Sequence, residues 1–152
     1  MTNKHHLTPD GGRARDEGLG FSTRQIHAGV PRDTPTGATA LPIFQSTSFD
    51  FPDSQTAADR FALADLGPLY TRIGNPTQEA VENKIAALEG GVGALLVASG
   101  QAATTVAILN LAGAGDHVVV SASLYGGTQN LFKHTLARVG IETTFVERPE
   151  DL

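Results

Sequence analysis

The chain has 152 residues, of which 40% are hydrophobic and 18% charged, so it reads as one globular domain with a core rather than a disordered segment. Its net charge of −5 and the lack of any Lys/Arg run leave no electrostatic footprint for nucleic acid or an anionic membrane surface. No cysteine is present, which excludes disulfides, zinc ribbons and thiol catalysis within these residues, and no apolar run approaches the ~18 residues of a membrane helix; the expected setting is the cytoplasm.

Residues 1–18 are polar and Gly-rich without the apolar stretch of a signal peptide, and read as a flexible arm. His5 and His6 are adjacent there and read as solvated, since a metal needs three or four converging ligands. Over residues 20–50, turn formers and short apolar pieces show no helical period, which predicts an extended arm lying over another part of the molecule. Asp53 is a good N-cap for a helix over 53–66, with Ala57, Ala58, Phe61 and Ala62 on one face and Gly67-Pro68 as the stop. Residues 19–66 thus read as an arm and a helix.

The next helix has Asn75 as cap, Pro76 at the first helical position and Gln78 at the capping-box position. Val81, Ile85 and Leu88 make its apolar stripe, and Gly90-Gly91 ends it. The chain then alternates: strand "ALLVAS" at 94–99, helix 101–112, strand "HVVVS" at 117–121, helix from about 128 to 139, and strand "IETTFVE" at 141–147. Apolar strands alternating with helices predict an α/β fold with a parallel sheet covered on both faces. "RPEDL" resembles the opening of a further helix, and three such strands make a poor independent sheet. Residues 67–152 therefore read as the first part of a larger, apparently truncated domain.

Three stretches carry candidate chemistry. At "ASGQAA", Ser99 suits an N-cap, Gly100 lets a ligand approach the backbone, and Gln101 adds an N–H at the start of a helix, where an anion is favoured. The bland alternative is a cap and a turn with no ligand. At "LYTRIGNPT", Tyr70 and Arg72 lie two residues apart on a segment expected to be extended, so both project to one side and suit a phosphate. The alternative is a surface arginine, although a cation before a helix N-terminus opposes the dipole. At "SLYGGT", Tyr125 falls at the carboxyl edge of the sheet, level with Ser99, where its ring suits stacking on a planar group or simply packing over the helix start. His27, His117 and His134 lack metal-ligand spacing and read as structural or exposed.

Taken as an ordered set, "TRQIHAG", "PIFQSTSF", "YTRIGNPT", "ALEGG", "ASGQAA", "LAGAGDHVV" and "SLYGGT" resemble the N-terminal part of the pyridoxal-phosphate enzymes of Cys/Met metabolism. The resemblance runs from about residue 20 to the end, yet covers less than half of a complete member. It implies a fold-type I PLP-dependent transferase-like fold and pyridoxal 5'-phosphate as cofactor. It also implies that Ser99, Gly100 and Gln101 receive the phosphate, and that Tyr70 and Arg72 reach it in trans within a homodimer or homotetramer. Tyr125 would stack on the pyridine ring and assist catalysis.

Within the family, "TRIGNPT", "ASGQAA" and "NLAGAGDH" are most similar to the branch that exchanges the acetate of O-acetyl-L-homoserine for sulfide or a thiol, giving homocysteine. The cofactor-bearing lysine, the aspartate at the pyridine nitrogen and the arginine for the substrate carboxylate lie beyond Leu152 in family members. Lys4, Lys84 and Lys133 match none of these positions. Other γ-lyases and synthases of the family share most of the motifs, and a non-catalytic truncated product is the alternative of another class. A nucleotide-binding module would need a glycine fingerprint that is absent.

Overall fold

The structure, a computed structural model, describes residues 18–30, 36–148 and 150. The reading of residues 1–17 as a flexible arm, with His5 and His6, lies outside the described residues. The chain divides between Leu96 and Val97 into two compact units.

In the first unit, α1 (Phe21–His27) is a helix that the expected extended arm did not contain. Its seven residues have no side-chain cap, so tertiary contacts sustain it. Those contacts are with α3 (Pro76–Glu89): Arg24 Nη1 donates to Ala87 O at 3.1 Å and Lys84 Nζ donates to Ile26 O at 3.2 Å. Ala28 is fully buried, and Gly29, at φ 73°, lies so close to α3 that a Cβ would collide with the backbone of Ala80 and Lys84.

The rest of the arm does lie over another segment. Ser48 bridges Tyr70 in antiparallel fashion, Thr71 N–H donates to Thr47 O at 2.9 Å, and Asn75 Nδ2 donates to Phe44 O at 3.0 Å.

Asp53 caps α2 (Ser54–Phe61) by accepting from Thr56 N–H at 2.7 Å. The helix stops at Phe61, short of the expected end at 66. There Leu63 takes a left-handed φ of 56°, and Arg60 holds the returning chain through Asp65 Oδ2 at 3.0 Å and Pro68 O at 2.7 Å. Asn75 caps α3 by accepting from Thr77 N–H at 2.9 Å, and Gly90 ends it in the left-handed conformation. Gln78 does not close a capping box: its amide bonds Glu82 Oε1 and Leu96 O instead. Ala80 and Ala86 are the buried residues of α3, whereas Val81 and Ile85 of the expected stripe are exposed.

In the second unit, α4 (Gly100–Leu111) leads to β1 (His117–Ser121), and a helical crossover returns to β2 (Glu142–Val146). The two strands pair in parallel, from His117 opposite Glu142 to Ser121 opposite Val146. This is the parallel α/β arrangement that the alternating pattern predicts, although among the described residues only one face of β1 is covered. Val118 and Val120 pack into the core while Val119 is exposed.

The crossover changes its winding, from α5 (Gly126–Asn130) to a π-turn over Leu131–Thr135 and a 3₁₀ turn over Leu136–Val139. In an α-helix Leu136 would be rotated roughly 140° from Leu131. The wider π-turn brings both to one face, where they join Phe132 and Ile141 as the buried core.

Residues 94–99 form no strand. Leu96 N–H donates to Glu82 Oε1 at 2.7 Å, its carbonyl accepts from Gln78, and Leu95 and Leu96 are exposed. A strand exists only by pairing, and the described sheet consists of β1 and β2 alone.

Candidate functional site

The second unit holds two turns side by side. Ser99 is extended, and its Oγ accepts from Ala102 N–H at 3.1 Å while its carbonyl accepts from Ala103 N–H at 3.0 Å. Ser99 therefore does cap α4. Two donors are left over: no acceptor among the described residues meets the N–H of Gly100 or Gln101. The Cβ side of Gly100 is open, with no atom within 4 Å of where that carbon would stand. The turn thus offers paired N–H groups at the positive end of a twelve-residue helix, with nothing crowding the approach.

The second turn leaves the carboxyl end of β1. Tyr125 O accepts from Thr128 N–H at 2.8 Å and Gln129 N–H at 3.0 Å, which starts α5. Gln129 Nε2 anchors the preceding loop by donating to Ala122 O at 2.8 Å. Tyr125 is 77% exposed, so packing over the helix start leaves most of its surface open.

The turns touch at Gly127, where a Cβ would fall 2.7 Å from Tyr125 Cε1 and 3.0 Å from Gln101 Nε2. Gln101 Nε2 also donates to Thr128 Oγ1 at 3.0 Å. Gly127 and Thr128 were not singled out from the sequence. The Gly-Gly after an exposed tyrosine was the available signal, but their partner lies on another helix.

Tyr70 and Arg72 belong to the first unit. The stretch after Tyr70 is a turn rather than the extended segment expected: Ile73 N–H donates to Tyr70 O at 2.8 Å and Gly74 N–H to the same oxygen at 3.1 Å. The pair nonetheless converge, with Arg72 Cζ 5.4 Å from the centre of the Tyr70 ring. No described carboxylate pairs with Arg72, which leaves its guanidinium donors available.

Among the described residues no group of His, Asp or Glu is arranged to hold a metal. His117 Nε2 instead meets Thr144 Oγ1 at 2.8 Å across the sheet.

In the second unit, unpaired N–H groups beside an exposed aromatic residue suit a phosphorylated planar molecule; in the first unit, by itself, the Arg72 guanidinium suits a phosphate. Residues 22–151 match the Cys/Met metabolism PLP-dependent enzyme family. The chain belongs to that family. Members of this PLP-dependent family are its relatives at high identity. It is 62% identical over 132 residues to the O-acetyl-L-homoserine sulfhydrylase of Corynebacterium glutamicum, covering 87% of this chain and 30% of that protein. It is 44% identical over 131 residues to the L-methionine gamma-lyase of Treponema denticola, covering 86% and 32%.

Among solved structures, a Campylobacter jejuni protein assigned as an O-acetylhomoserine (thiol)-lyase superposes with a TM-score of 0.78 at 40% identity, over 84% of this chain and 31% of that one. That structure holds N'-pyridoxyl-lysine-5'-monophosphate. The fold is accordingly that of the family's fold-type I enzymes, of which this chain spans about 30% in length. No described helix is long and apolar enough to cross a membrane.

Proposed function

We propose that the chain is the N-terminal, cofactor-receiving segment of an enzyme that replaces the acetate of O-acetyl-L-homoserine with sulfide or a thiol, giving homocysteine or methionine. The observation that carries this reading is the open pair of N–H donors at Gly100 and Gln101 beside the exposed Tyr125 ring. The 62% identity to a sulfhydrylase supports the substrate.

In this reading the N–H groups of Gly100 and Gln101 bind the phosphate of pyridoxal 5'-phosphate, and Ser99 holds the turn in shape through its cap. Tyr70 and Arg72 add charge and a hydroxyl to the same phosphate from a neighbouring subunit. Tyr125 lies against the pyridine ring, orients it, and holds a proton at its hydroxyl. Bound pyridoxal phosphate supplies the electron sink for charge developing on the substrate.

Neither described lysine, Lys84 or Lys133, matches the position of the family's cofactor-bearing lysine. Lys84 Nζ is engaged with Ile26 O, and Lys133 lies in the π-turn. The 152 residues taken alone therefore bind rather than turn over.

A second reading is an elimination on methionine, favoured by the 44% identity to the Treponema denticola enzyme. One measurement tests the cofactor reading and a second separates the two activities. Tyr70 and Tyr125 are the only tyrosines and no tryptophan is present, so titration of the chain with pyridoxal 5'-phosphate can be followed by tyrosine emission. Saturable quenching that inorganic phosphate competes away is expected, and a strictly linear response refutes the cofactor reading. A chimera in which the chain replaces the matching part of the Corynebacterium glutamicum sulfhydrylase is expected to form homocysteine from O-acetylhomoserine and sulfide. If only a chimera built on the methionine γ-lyase is active, the second reading holds.

A further inference from the structure

We infer that Thr128 is a positioning residue whose hydroxyl ties the cofactor's phosphate turn to the turn carrying Tyr125; this rests on the cofactor reading above. Gln101 Nε2 donates to Thr128 Oγ1 at 3.0 Å across 27 residues of sequence. Among the described residues no other hydrogen bond joins the two turns. A threonine hydroxyl both donates and accepts, so it satisfies the Gln101 amide in either orientation.

The tie acts together with Gly127. The Tyr125 ring and the Gln101 amide both lean on the space where a Cβ of residue 127 would stand. Moving the amide therefore moves a neighbour of the ring. Ser99 caps its own helix and Gln129 braces its own loop, so neither sets the spacing between the phosphate donors and the ring. Thr128 does.

The test compares Thr128→Val, which keeps the shape and removes the hydroxyl, with Thr128→Ser, which keeps the hydroxyl and removes a methyl. Both are made in the full 152-residue chain. Amide hydrogen exchange is read at Ala102 and Ala103, whose N–H groups are bonded to Ser99. Affinity for pyridoxal 5'-phosphate is read by titration.

Losing one neutral hydrogen bond should speed exchange at these amides and weaken cofactor binding by about three- to tenfold in the valine variant. The serine variant should behave as the parent in both. Unchanged exchange and affinity in Thr128→Val overturn the proposal, as does a serine variant as impaired as the valine one. If the parent chain itself fails to bind the cofactor, the cofactor reading falls and the positioning role falls with it. Faster exchange in Thr128→Val, with recovery in Thr128→Ser, would then still distinguish a tie that exists from a cofactor reading that is wrong.

Discussion

Arg72 stands over the Tyr70 ring with no described carboxylate pairing with it, a placement that leaves its guanidinium donors open to a ligand. A charge-assisted bond to phosphate contributes about 1.5–3 kcal/mol, so in the chimera Arg72→Ala should raise the dissociation constant for pyridoxal 5'-phosphate by roughly one to two orders of magnitude. Arg72→Lys should recover only part of this, because an ammonium keeps the charge and loses the planar fork. Titration of the apo-chimera measures both, and an unchanged dissociation constant in Arg72→Ala would remove Arg72 from the site. Tyr125 calls for a different outcome. Tyr125→Phe retains the exposed ring, so cofactor affinity in the chimera should hold within about twofold while kcat falls by roughly 10²-fold if the hydroxyl handles a proton. An unchanged kcat with a raised KM would leave Tyr125 a binding residue only.

At the level of elements, α3 carries a testable charge. Burial raises the pKa of Glu79, and the neighbouring Glu82 raises it further. A carboxyl whose folded value exceeds its unfolded one favours the fold when protonated. Its contribution is full below the ordinary carboxylate pKa and is lost as pH rises through the raised value. Glu79→Gln should therefore stabilise the chain at pH 7, and the gain should vanish below about pH 4. Solvent reaches this half-buried group and the helix dipole favours a negative charge in the first turn, so the gain should be at most about 0.5 kcal/mol. Thermal melts of both proteins across that pH range check the sign, and a variant less stable at pH 7 would contradict it. The same helix shows how packing sets local structure. Gly29 is where α1 ends against it, and no residue with a side chain fits there without pushing the two helices apart.

For the molecule as a whole, the second unit presents apolar side chains to water: Val106, Leu109 and Leu111 on α4, and Val119 on β1. Its two-stranded parallel sheet also leaves outer strand edges without a partner among the described residues. The purified 152-residue chain is therefore expected to self-associate, and sedimentation should find species larger than the 15.9 kDa monomer. It should also show no turnover of O-acetylhomoserine above the free-cofactor background, since Lys4, Lys84 and Lys133 match none of the positions of the family's cofactor-bearing lysine. A compact monomer would contradict the first expectation, and activity at the correct mass the second.

What the amino-acid sequence determined by itself is local. Asp53, Asn75 and Ser99 cap their helices, Gly90 ends one, and the strands at 117–121 and 142–146 are where their apolar pattern puts them. Each depends on contacts within a few residues, or on a short run of β-branched side chains, and such signals survive without knowledge of the fold. The ordered motifs likewise sufficed for the family. The tertiary structure decided whatever needs a distant partner. The sequence "FSTRQIH" is helical because α3 receives it, "ALLVAS" is not a strand because no described strand pairs with it and Leu96 bonds Glu82 and Gln78 instead, and Leu136 faces the core because a π-turn rotates it there. In the candidate site, the residue types were readable but the stacking of Arg72 on Tyr70 and the bond from Gln101 to Thr128 were not. Hydrogen bonds and packing between segments far apart in the chain have no local signature, because their energy is gained only once the chain has brought both partners together.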